Sequence, residues 1–139
     1  MRKMTKNGRV DANTLVIAAF AGWDALDSIV EGRGTMAPSA REVVSDLDRA
    51  IVLDSHNIGA HHLRIHLREN AMRARDAVSD ATLLESYNHN SRPGESHLLH
   101  MPGHIWTRLG RYARLVVGNL RACANDRARF AHGDGAGRR

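Results

Sequence analysis

The stretch SHLLHMPGHIWTRLGRYARLVVGNLRACAND, residues 96–126, decides the fold. It reads as two helices, from about Ser96 to Leu109 and from Tyr112 to about Asp126, around a tight turn at Gly110. Glycine costs about 1 kcal/mol inside a helix and suits a left-handed stop, so Gly110 belongs to the turn. Pro102 falls inside the first of these helices, where it removes a backbone hydrogen bond and favours a kink.

The same grammar extends toward the N-terminus. Leu15, Ala18, Ala19, Trp23, Leu26, Ile29 and Val30 recur at helical spacing behind Asp11, a suitable N-cap. Glu31-Gly32-Arg33-Gly34 breaks that helix, and Ser39-Ala40-Arg41-Glu42 reads as a capping box opening the next. Val43, Val44, Leu47, Ala50, Ile51 and Val52 give the second helix its apolar face. After a loop at 54–59, helices are expected from about Ala60 to Glu69 and from about Met72 to Tyr87, followed by a loop at 88–94. No segment alternates with period two. About six helices with short connections predict an all-α fold of antiparallel helical hairpins.

With 139 residues, 42% of them hydrophobic, the chain can bury one domain core. A 4% aromatic content argues against a β-sandwich. The longest apolar run, Leu15 to Ala21, is far short of the ~20 residues that span a bilayer, so no membrane partner is expected. Ala19-Phe20-Ala21 fits an export cleavage pattern, but Asp11 and Asn13 interrupt its approach, which favours a cytoplasmic protein. The single cysteine, Cys123, excludes an internal disulfide and reads as a small buried apolar residue. The net charge of +5 sits at the ends, leaving the body slightly acidic. That pattern predicts solvated tails rather than specific nucleic-acid binding. The expected organisation is a flexible basic arm over 1–10, a helical-repeat domain over 11–127 and a disordered Gly/Arg-rich tail over 128–139.

Gly103, Trp106, Gly110, Tyr112 and Ala122 fall on five marked positions of the tetratricopeptide motif. By that resemblance, all five are packing positions of the repeat. Gly103 is the small residue where the second helix crosses, Gly110 and Tyr112 form the turn, and Ala122 is the small residue late in the second helix. Leu115 stands where the motif has a small alanine, and Arg127 replaces the closing proline. Residues 39–57 follow the same frame, and a weaker unit begins near Ile58 with an insertion in 87–92. HHLRIH (61–66), HLLHMPGHIW (97–106) and GRYA (110–113) further resemble a group of bacterial tetratricopeptide-repeat proteins with "HLxHMPxHIY" and "GRY" segments. The resemblance implies a short α-solenoid and, as function, non-enzymatic binding of an unidentified protein or peptide partner, without a cofactor. Members are usually longer, so the chain can be a fragment of such a protein.

The nine histidines carry the chain's chemistry. His62 and His66 are i,i+4 partners; His97, His100 and His104 follow at i,i+3 and i,i+4. Each set projects from one helix face. The first expectation is structural, because an imidazole donates from one nitrogen and accepts at the other and so ties helices together. The alternative is a metal-binding protein or metal-dependent enzyme using both clusters, since imidazoles at this spacing chelate zinc or a similar ion. Against it, HExxH is absent, and the nearest acids, Glu69 and Glu95, have no required spacing. Acid–base catalysis is a third, weaker reading. Trp23 and Trp106 are expected in the core.

Overall fold

The computed structural model describes residues 10–31, 35–70, 72–87 and 95–133. Residues 1–9 of the expected arm, the glycine stop at 32–34, the loop at 88–94 and the last six residues of the expected tail lie outside these. Helix α1 (Ala12–Asp24) leads to a two-residue hairpin, β1 (Val30–Glu31) and β2 (Thr35–Met36), paired antiparallel. Then come α2 (Pro38–Leu53), α3 (Ile58–Asn70), a 3-10 turn (Ala74–Ala77), α4 (Val78–Ser86), α5 (Ser96–His100), α6 (Pro102–Arg108) and α7 (Tyr112–Gly133). The described chain is thus almost wholly helical, as expected.

Asp11 caps α1 by accepting from the Thr14 N–H at 2.7 Å. The helix ends at Asp24 rather than Val30. The Ser28 hydroxyl donates to the Val30 carbonyl at 2.6 Å and accepts from its N–H at 3.2 Å, competing with a helical ladder. Ile29 and Val30 instead cover Met36, Ala37 and Ala40. The expected capping box is also corrected. Ala37 is the N-cap and no side chain caps α2, because Pro38 starts the helix at a position that needs no N–H. Cys123 is exposed, not buried.

α3 organises the molecule. Ala60, Leu63 and Leu67 join Leu15, Ala19, Val43, Leu47 and Ala50 in a core with α1 and α2. Ile65 belongs to a second core with Ala77, Ala81, Leu84, Met101, Ile105 and Trp106. The Asn57 side chain accepts from the Ala60 N–H at 3.0 Å and donates to Asn13 at 2.9 Å, fixing the start of α3 against α1.

The expected fifth helix is split at Met101, ahead of Pro102. Met101 keeps right-handed helical dihedrals (φ −51, ψ −41), so α6 continues the course of α5. α6 ends in a paired turn: Gly110 has φ +70 and donates to the Thr107 carbonyl, and Arg111 donates to that of Trp106. α7 then packs on α5 and α6. A Cβ on Gly103 would lie 2.7 Å from Leu115 Cδ1, and one on Gly118 would lie 3.3 Å from the Leu99 carbonyl oxygen. Trp106 is fully buried and Ala122 nearly so. Tyr112 departs from its expected packing role: it is 63% exposed. α7 also runs through 128–133, where a tail was expected, because Arg127-Ala128-Arg129 and Ala131 favour helix. Among the described residues, no helix is long and apolar enough to cross a membrane.

Candidate metal centre

His62, His66 and Glu69 lie at i, i+4 and i+7, so α3 presents them on one face. His97 and His100 come from α5 and His104 from α6, whose shared course keeps the three on one side. The two histidine clusters meet. His97 and His62 share a hydrogen bond between their Nε2 atoms at 3.0 Å. His104 Nδ1 lies 2.9 Å from Glu69 Oε2, and its Nε2 lies 3.0 Å from His100 Nε2. His66 stands at the centre, its ring centroid 5.0 Å from that of His62 and 5.2 Å from that of His104. Trp23 stacks on His66 at 5.5 Å with an interplanar angle of 17°, so α1 covers one flank.

The hydrogen-bond directions follow from the donors available. A carboxylate only accepts, so His104 donates to Glu69 from Nδ1. A neutral His104 then accepts at Nε2, and His100 donates to it. Two triads have ligand atoms within 4.8 Å of one another: His62, His66 and His97, and His66, Glu69 and His104. Metal–nitrogen bonds of ~2.0–2.1 Å set neighbouring donors about 3.3 Å apart around a tetrahedral ion, so small side-chain rotations bring either triad onto one.

Burial is the first cause of low basicity here. His62 is pushed down to about 4 by desolvation, then by the neighbouring His66 and His97. Desolvation also lowers His66 and His100, in each case assisted by His104. These three imidazoles are therefore neutral at pH 7 and offer lone pairs. A metal ligand must be in that state.

All five expected histidines are thus brought together, His100 through its hydrogen bond to His104 rather than in either triad. Glu69, set aside for its spacing, joins them: one turn past His66 it faces the same way, and α6 brings His104 to it. Glu95 is not in either triad.

A second polar group escaped the sequence reading. Asp80 of α4 is fully buried. His61 donates to it from Nδ1 at 2.6 Å and to the Ser55 carbonyl from Nε2 at 3.1 Å. An imidazole that donates from both nitrogens is an imidazolium. Burial disfavours that charge, but the two hydrogen bonds and the Asp80 charge outweigh it and raise the His61 pKa. Arg64 Nε faces the other Asp80 oxygen at 3.5 Å, and neither atom has a hydrogen-bond partner. Trp106 donates to Glu85 at 2.7 Å, and Arg114, itself paired with Glu85, lies 3.8 Å over the indole.

Comparison with protein-family models, curated proteins and solved structures returns no match.

Proposed function

We propose that the protein binds a borderline divalent transition-metal ion, zinc by the chemistry of its donors, at the His62–His66–His97–His100–His104–Glu69 cluster. The observation that carries the reading is convergence. Two histidine sets 31 residues or more apart in sequence face each other across α3, α5 and α6, and two overlapping triads lie within ligand distance. A purely structural pair needs two imidazoles; here five and a carboxylate are gathered, three of them held neutral. Three imidazoles, or two imidazoles and a carboxylate, suit zinc, and would also take iron or cobalt in their divalent states. Binding, not turnover, is proposed.

The test uses untagged, metal-free protein. Zinc at one hundred times its dissociation constant should stabilise the fold by about 2.7 kcal/mol, and a chelator should reverse the gain. His66→Ala should abolish binding, because His66 belongs to both triads. His100→Ala, which acts through His104, should weaken it ~10–100-fold without abolishing it. A melting temperature indifferent to zinc would return these histidines to a structural role.

The helical-repeat pattern supports a second reading: a short tetratricopeptide-like solenoid of stacked hairpins that binds a protein or peptide. The close crossing of α6 and α7 at Gly103 favours it, since the motif keeps a small residue there.

A further inference from the structure

The first and last described helices each turn an apolar stripe to solvent. On α1, Ile17 is 70% and Phe20 54% exposed, with Asn13, Ala21 and Asp24 on the same face. On α7, Val116, Leu120 and Phe130 are exposed, with Leu120 at 62%, and Arg127 lies on the same face. α1 packs mainly against α2 and α3, and α7 mainly against α5 and α6, and both stripes are exposed, so neither covers the other within one molecule.

Their charges are opposite. α1 and the turn behind it present Asp11, Asp24, Asp27 and Glu31, all exposed, with no Lys or Arg among residues 10–31. α7 carries Arg121, Arg127 and Arg129, also exposed, and of these Arg127 lies on the stripe, next in sequence to the half-buried Asp126. Like charges oppose an α7–α7 pairing, while an α7–α1 pairing joins unlike ones. The register agrees. Asp24 follows Ile17 by seven residues and Arg127 follows Leu120 by seven. Seven residues are about 10.5 Å of helix, so a parallel crossing that sets Ile17 on Leu120 also sets Asp24 on Arg127.

We propose that the occupant of the α7 stripe is the α1 stripe of a second copy, so that chains associate head to tail. Such a contact is heterologous and leaves one free stripe at each end, so it extends beyond a dimer. It involves no residue of the histidine cluster and is independent of metal.

The test is mass in solution by light scattering, with Ile17→Glu and Leu120→Glu as variants. Both sites are exposed, and an unchanged melting temperature establishes that each variant folds. The wild-type mass should rise with concentration past that of a dimer and fall when salt screens the charges. Each variant alone should be monomeric. An equimolar mixture should give a dimer and nothing larger, because the intact α1 of Leu120→Glu meets the intact α7 of Ile17→Glu. Asp24→Arg should lower association at least tenfold, and adding Arg127→Asp should restore it. A wild-type chain monomeric at its highest soluble concentration would overturn the proposal. So would association lost in Leu120→Glu but kept in Ile17→Glu, which marks an α7–α7 dimer, or association unchanged in both variants.

Discussion

Asp80 is fully buried between two cationic side chains, His61 and Arg64. It faces the imidazolium at 2.6 Å and the guanidinium at 3.5 Å. Removing one partner of a buried charged group leaves the others uncompensated, a loss of about 3–5 kcal/mol. Asp80→Ala is therefore expected to destabilise the protein by that amount in denaturant unfolding. Asp80→Asn should cost less, because its amide oxygen can still accept from His61, and should lower the His61 pKa, read by NMR titration, because the carboxylate charge that helps raise it is gone. A loss below 1 kcal/mol in Asp80→Ala would mean that water replaces the carboxylate. Nothing in the sequence marked Asp80: an acid inside a helical segment reads as a solvated side chain until α3 is placed against it. Glu69 was visible near the histidines but was set aside, because its spacing alone does not mark it as their neighbour. The histidines were legible because their helical spacing is itself a local signal, whereas the acid that completes their site is chosen by packing between α3 and α6.

At the scale of elements, the α6–α7 hairpin is where close approach governs stability. Leu115 Cδ1 occupies the space a Cβ on Gly103 would need. Gly103→Leu should cost about 1–3 kcal/mol through overpacking, somewhat offset by better helix propensity. Leu115→Ala in the same chain should recover part of that loss, since the clash is with this one side chain. The sum of the single effects would then exceed the double. Additive losses would place the strain elsewhere. The turn and its flanks were readable because glycine has few local uses: Gly110 at φ +70 and Gly103 under a crossing helix each need a missing Cβ. Tyr112 and the end of α1 were not. Whether an aromatic is buried depends on which helix comes next in space, and Ile29 and Val30 fit a helical period while serving a two-residue hairpin. Gly118, beside the Leu99 carbonyl, is a second place where the α7 contact needs no side chain.

For the whole molecule, the histidines couple folding to protons and, on the proposed function, to metal as well. In metal-free protein His62, His66 and His100 have folded pKa values below the unfolded value of ~6.5. The unfolded chain then binds more protons than the folded one as pH falls through 6.5, so stability declines from there and is still declining at about 4, where His62 titrates. Solvent screening at these half-buried rings keeps the His62 contribution on the order of 2 kcal/mol. His61 acts in the opposite sense: its raised pKa contributes stability that is complete below 6.5 and lost as pH rises through the folded value. Below 6.5 the His61 contribution is already complete, so it does not offset the acid limb set by the three depressed groups. Apo protein should therefore lose stability steadily between pH 6.5 and 4, measured by urea unfolding at fixed ionic strength. Bound zinc demands the same neutral imidazoles, so its stabilisation should shrink across the same interval as protons compete for the lone pairs. His62→Gln, which removes the most depressed group, should flatten the lower half of the apo profile. An apo profile flat from 6.5 to 4 would show that these rings are solvated, and would remove the electrostatic ground for a preformed metal site.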